Sequence, residues 1–348
     1  MPNKNREGSL EEKLRIFKRI ARRKSLEIKP GKLREPFHEP ENKTSADLDK
    51  IIRVYEDVLS RVEPKIIEFY ESSNSLITDR ETITAFVSVL KKYEEEKYFD
   101  LTGLFLTGLI NNIKEKEITL NLTNLDKLLG ELGRFLRSHT LIVKGNAGNY
   151  LGQQMESGEI IVHGDVGDYT GFFMKGGNIT VYGNAGDNLG SNMESGRIEV
   201  KGNGGMDIGN SMKGGDIVIY GDAKELAGIS MKGGNMTIYG DVGNGLGAIM
   251  KSGRIEVKGN AGNNVGFENQ GGKIIVDGDA GNAVGVFMEK GEIIIGNNAG
   301  QIVGTRMIGG TIYLNGDYIS ISKKKTDGEI YHKGKKIYPK SFLARLFS

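Results

Sequence analysis

Glycine recurs in this chain at a fixed step of 19 residues, at Gly145, Gly164, Gly183, Gly202, Gly221, Gly240, Gly259 and Gly278. Asn297 and Gly316 occupy the next two steps. Two further glycine columns keep the same step, from Gly152 to Gly304 and from Gly158 to Gly310. A methionine column runs from Met155 to Met307, with Asn269 as its one exception. Nine such repeats, without an insertion or deletion, demand one structural turn per unit, each stacked on the one before. A helical unit is excluded, because no stretch between the glycines is long enough to form one.

Each unit ends in five alternating residues, as in Arg197-Ile198-Glu199-Val200-Lys201. A period of two is a strand with one buried face. Ile160, Ile179 and Ile198 then form an inward ladder, as do the methionines and the small column Ala147, Val166, Ala185. Arg197, Glu199, Lys201, Arg254, Glu256 and Lys258 point outward. The glycines bound the strands and supply turns at positive φ. Asn297 reads as a substitute that tolerates the left-handed region, whereas Lys224, in a column otherwise filled by Gly167, Gly186 and Gly205, finds no such account. The expected fold is mainly β: a right-handed, single-stranded parallel β-helix of about nine coils of 19 residues. At about 4.8 Å per coil it is roughly 43 Å long.

The remaining sequence is of another kind. Residues 1–97 read as an α-helical N-terminal region. Leu10–Ile28 is basic and amphipathic, with Lys18, Arg19, Arg22, Arg23 and Lys24 as a solvated face. Residues 29–43, with Pro30, Pro36 and Pro40, read as a linker. The spacing of Leu48, Ile51, Tyr55, Leu59, Val62 and Ile66 predicts one helix over 44–72. Thr78-Asp79-Arg80-Glu81 reads as a capping box for a helix reaching about Lys97. Asp100 is the expected cap of a short helix, Leu101–Asn112, followed by a strand over Glu117–Leu122. Residues 98–322 form the β-helix with its helix–strand lead-in, and Tyr318–Ser322 a partial last coil. Residues 323–348 form a basic tail that covers the open end.

Composition narrows the functions. The chain has 348 residues with 51 Gly but only 6 Pro, which excludes collagen. With 47 basic and 45 acidic residues the net charge is +2, without the basic excess of a nucleic-acid-binding domain, so no nucleic-acid partner is expected. Cysteine is absent, so disulfides and thiolate metal sites are excluded. No apolar run is long enough to span a membrane, and the charged start carries no signal core, so a cytoplasmic location is expected.

The four histidines, His38, His139, His163 and His332, do not pair at ligand spacing, and His163 reads as a solvated surface residue. Neither G-x-S-x-G nor G-x-x-x-x-G-K-[ST] occurs. Gly243, Gly245 and Gly247 are followed by a strand rather than the helix that a dinucleotide site needs. The column Asn146, Asp165, Asn184, Asn203, Asp222, Asp241, Asn260, Asp279, Asn298 reads as side chains bonding turn backbone, in preference to a calcium ladder. No catalytic, cofactor-binding or metal-binding residue is expected. One outward column is more suggestive. It carries Phe173, Ile249 and Phe287, next to Phe172 and Phe267, which together read as a docking patch for a protein partner or a second copy.

The run Gly145-Asn146-Ala147-Gly148-Asn149-Tyr150-Leu151-Gly152 and its eight copies resemble the GXGXG repeat domain. That domain forms the C-terminal part of the large chain of glutamate synthase and the whole C component of formylmethanofuran dehydrogenase. Leu109-Ile110-Asn111-Asn112, followed by the strand from Glu117, also resembles the start of that component. The resemblance spans residues 98–320. It implies a right-handed β-helix without catalytic residues or cofactors of its own, holding together complexes whose redox chemistry lies elsewhere. The helical N-terminal region and lysine-rich tail depart from both relatives. The expected function is therefore a non-catalytic scaffold, an archaeal stand-alone relative with its own partner. The alternative is a β-helical component of a formylmethanofuran-dehydrogenase-type or glutamate-synthase-type oxidoreductase complex.

Overall fold

The computed structural model describes residues 43–61, 64–322 and 327–338. The chain divides into Met1–Asn42 and Lys43–Ser348, and every described residue belongs to the second unit. The basic segment Leu10–Ile28 and the linker over 29–43 fall outside the described residues, save Lys43 itself.

Among the described residues thirteen strands form one sheet in strict chain order. They are β1 (Glu117–Asn121), β2 (Thr140–Lys144), β3 (Glu159–Val162), β4 (Asn178–Val181), β5 (Arg197–Val200), β6 (Asp216–Ile219) and β7 (Asn235–Ile238). β8 (Arg254–Val257), β9 (Lys273–Val276), β10 (Glu292–Ile295), β11 (Thr311–Leu314), β12 (Glu329–His332) and β13 (Lys335–Tyr338) follow. β1 to β12 pair in parallel, and only β13 runs antiparallel, against β12. The register places Ile160 on Ile179 and Ile179 on Ile198. Ala147 bridges Val166, and Val166 bridges Ala185. All eight column methionines are fully buried. Asn269 is buried among them, with its Oδ1 accepting from the Gly271 N–H and its Nδ2 unpaired.

The solenoid has about eleven turns rather than nine. The coil below Gly145 obeys the same step, since Thr140 pairs with Glu159. Its Leu136 stands in the methionine column and Gly133 in the glycine column. The step is hidden in the sequence because Asp126, Leu129 and His139 stand where the later coils have glycine. Beyond these limits the period breaks. Glu117 pairs with Thr140, 23 positions on, and Thr311 with Glu329, 18 positions on.

Hydrogen bonding continues around the coil. The Tyr150 N–H donates up to Asp168 O at 2.8 Å, the Gly152 N–H down to Leu132 O at 2.8 Å, and the Gln154 N–H up to Phe172 O at 2.9 Å. Left-handed residues at 150, 152 and 154 accompany these alternating directions. Each coil thereby satisfies its backbone through both neighbours.

Among the described residues four helices precede the stack: α1 (Lys43–Ser60), α2 (Ile66–Asn74), α3 (Arg80–Val89) and α4 (Thr102–Ile110). The single helix expected over 44–72 is two, because Pro64 lies in the gap and a proline ring cannot continue a helix there. Asp79, not Thr78, is the N-cap of α3, and its carboxylate accepts from the Thr82 N–H at 2.8 Å. α3 ends at Val89 and passes into a single 3₁₀ turn, so it stops short of Lys97. Asp100 does not cap α4. Leu101 holds that position without a side-chain bond, because a 3₁₀ turn over Phe99–Leu101 already leads into the helix. α4 is buried along its whole length, with α2 packed against it and α3 against β1. Tyr55 anchors this region, its ring 5.1 Å from Phe86 and 5.3 Å from Tyr93. Buried Glu94 accepts from the Asp126 and Lys127 backbone N–H groups and so fastens the helices to the lowest coils.

At the other end, Lys333 and Gly334 both have positive φ, the geometry of a tight two-residue hairpin. The hairpin lays β13 over the last parallel strand, with Lys335 and Lys336 on the edge, a charge pattern that discourages further strand pairing.

Candidate functional site

Two aspartate–asparagine ladders organise the surface of the stack. In the first, the Asp165 N–H donates to Asn146 Oδ1 at 2.9 Å, and the pattern repeats coil by coil up to the Asp317 N–H on Asn298 Oδ1 at 3.0 Å. Asn184 Nδ2 adds a bond to Asp165 Oδ1 at 3.2 Å. The column therefore bonds turn backbone and stacked side chains, as its spacing suggests.

This ladder corrects the reading of the glycines. Apart from Gly145, the column from Gly164 to Gly278 has no positive φ. Its glycines are required because the backbone carbonyl of the coil below, and beside it that coil's Asx oxygen, sit where a Cβ would stand. At Gly202 that oxygen, Asn184 Oδ1, would lie 2.5 Å away. Asn297 is likewise not left-handed, and nothing in the structure explains its acceptance.

The second ladder runs through Asn149, Asp168, Asp187, Met206, Glu225, Asn244, Asn263, Asn282 and Gln301. The Asp168 N–H donates to Asn149 Oδ1 at 2.9 Å, and the Asn263 N–H to Asn244 Oδ1 at 2.8 Å. Each such oxygen excludes a Cβ on the coil above, as Asn244 Oδ1 does 2.6 Å from the Cβ position of Gly262. At Met206 the ladder has no short side-chain oxygen, and the residue above it is Lys224. Lys224 therefore meets no Asx oxygen from the coil below.

Beside this ladder lies an edge built from left-handed residues. Gln154, Phe173, Asn192, Ser211, Ser230, Ile249, Glu268, Phe287 and Arg306 all have φ between 52 and 57°. The five residues expected as a docking patch, Phe172, Phe173, Ile249, Phe267 and Phe287, sit on this edge, all of them half-buried. The structure divides them into two groups. Phe172 and Phe173 meet at 4.4 Å, joined by Tyr169 at 5.5 Å from Phe172 and by Tyr150 stacked on Tyr169 at 5.0 Å. Phe267 and Phe287 meet edge to face at 5.7 Å, next to Ile249, whose N–H donates to Phe267 O at 2.8 Å. Phe173 and Ile249 stand four coils apart, about 19 Å. A β-branched residue in the left-handed region, as Ile249 is, carries real strain.

Between the groups the edge opens into a groove of about 440 Å³ lined by Met206, Glu225, Leu226, Gly245, Ala248 and Phe267. Its floor is one coil on which Gly245 and Ala248 leave little side chain, between Leu226 below and Phe267 above. Asp207, on the coil of Met206, has its carboxyl pushed up by burial and by Asp187. The groove is not evident in the sequence, although Met206 and Glu225 are visible there as departures from the Asx column.

A smaller cleft of about 340 Å³ lies between the helices and the lowest coils, lined by Asp100, Leu101, Glu131, Asn149 and Tyr150 among others. Burial raises the Glu131 carboxyl despite its ion pair with Arg134 at 3.1 Å. His163 is exposed and stacks on Tyr182 at 4.9 Å. Among the described residues no three His, Asp or Glu side chains gather at metal-binding range, and no helix is long and apolar enough to cross a membrane.

A family model described as the GXGXG motif matches residues 178–335. No curated protein matches the chain.

Proposed function

We propose, from the match of residues 178–335 to the GXGXG motif family, that the protein is a non-catalytic assembly module. It holds out a stiff β-solenoid whose left-handed edge docks a protein partner. The observation that carries this reading is the placement of Phe173, Ile249 and Phe287 in backbone conformations that disfavour them. Asn192 and Ser211 fill the same column at less strain. Strained, half-buried apolar groups on an outer edge are what a docking surface retains.

A second reading, a β-helical component of an oxidoreductase complex, is favoured by the family match and shares the same edge. The test is capture of partners by the full-length protein from native extract, comparing wild type with the Phe173→Asn and Phe287→Asn pair. Asparagine suits the left-handed region, so both variants should fold. Loss of one identified, stoichiometric partner supports docking, and a flavin- or metal-bearing protein as that partner supports the second reading. Identical capture by both proteins rejects the edge as the docking site.

A further inference from the structure

We propose that the groove between Leu226 and Phe267 receives an arginine side chain presented by a partner protein. The inference rests on the docking reading above and specifies its chemistry. Glu225 lines the groove and makes no side-chain hydrogen bond or ion pair with any described residue. Lys224, next to it in the chain, is exposed and does not pair with it. A half-buried carboxylate beside apolar walls favours a cation with an apolar stem.

The same edge shows which cation suits its phenylalanines. Arg134 lies over Phe135 at 4.9 Å, and Arg306 over Phe287 at 5.5 Å. Phe267 has no cation over its ring among the described residues, and it forms the wall of the groove. A guanidinium entering there stacks on Phe267 and reaches Glu225, while its methylenes lie against Leu226 and Met206. The volume of about 440 Å³ accommodates an arginine side chain and the segment carrying it. Lysine, a strongly hydrated point charge without a planar face, fits less well.

The full-length protein, labelled with ¹³C at the methionine methyls, supplies the readout. Met206 is a groove residue whose side chain is half-exposed, and its signal is assigned with Met206→Leu. Titration with Nα-acetylarginine amide should shift that signal saturably, with a Kd on the order of 1 mM. Nα-acetylnorleucine amide should leave it in place, and the lysine analogue should bind more weakly. Glu225→Gln should weaken the arginine response about tenfold. Ala248→Ile, which fills the floor with the residue found at Ile229 one coil below, should abolish it. The inference is overturned by an unmoved Met206 signal, by an equal response to norleucine, or by an unchanged response in Glu225→Gln. It is also overturned if Met206 responds to protein concentration alone, which assigns the groove to a second copy. Because no partner protein is needed, failure here leaves the capture experiment on Phe173 and Phe287 standing, and failure there leaves this one readable.

Discussion

Among single residues, the Asx oxygens add to the backbone contacts that make glycine obligatory. Gly262→Ala should destabilise the protein by about 2 kcal/mol, because its Cβ meets Asn244 Oδ1. In an Asn244→Ala background the same change should cost less, the remainder coming from the Gly243 carbonyl carbon and Asn244 nitrogen, 2.9 and 3.0 Å from that Cβ. A double-mutant cycle by urea denaturation should give a coupling of about 1 kcal/mol or more. Additive effects would show that the Asx oxygen does not impose the glycine. Ile249→Asn tests strain on the other edge. Asparagine accepts the left-handed backbone, so stability should rise by about 1 kcal/mol, provided the lost apolar contact is small. A clear fall in melting temperature would mean that packing of Ile249 outweighs its backbone strain.

For the helices and strands, local chemistry explains most boundaries. Asp79 caps α3, and hydrogen bonding from Thr82 holds its carboxyl below the usual aspartate range. A group with a depressed folded pKa stabilises above its unfolded value and loses that contribution as pH falls through the folded one. Asp79→Ala should therefore cost about 1 kcal/mol at neutral pH and progressively less as the pH falls below the ordinary aspartate value of about 3.9. Melts of wild type and variant at both conditions check this, and a pH-independent difference would contradict it. Pro64 and Asp79 are both readable locally, and the expectation of one long helix over 44–72 fails by passing over a proline. The unbroken 3₁₀ lead into α4 is not readable, because no residue type announces a turn that closes through burial rather than a cap.

For the whole molecule, the period is the structure. Each coil bonds only its neighbours, so stability is a sum of coils and interfaces. Removing 19 residues, from Gly183 to Lys201, joins Tyr182 to Gly202 and leaves every ladder in register. That deletion should yield a folded protein of unchanged oligomeric state and reduced stability, seen by circular dichroism and gel filtration. Removing about ten residues from the same place shifts the inward isoleucines out of line and should prevent folding. Equal behaviour of the two deletions would refute one coil per repeat.

Much of this was decided along the chain itself. Period, buried strand faces, the methionine ladder and the Asx column are repeated nine times, and repetition in sequence becomes adjacency in space whenever each unit closes one turn. Tertiary structure decided what repetition does not state. It showed that one glycine column serves close approach rather than positive φ, because the intruding side-chain and carbonyl oxygens belong to the coil below and lie 18 and 19 residues away in sequence. It added the degenerate coil of Gly133 and Leu136, recognisable only once stacked. It also separated Phe172 and Phe173 from Ile249, Phe267 and Phe287, with a groove where Gly245 and Ala248 withdraw their side chains. Such a gap exists only between neighbouring coils, so no single repeat contains it.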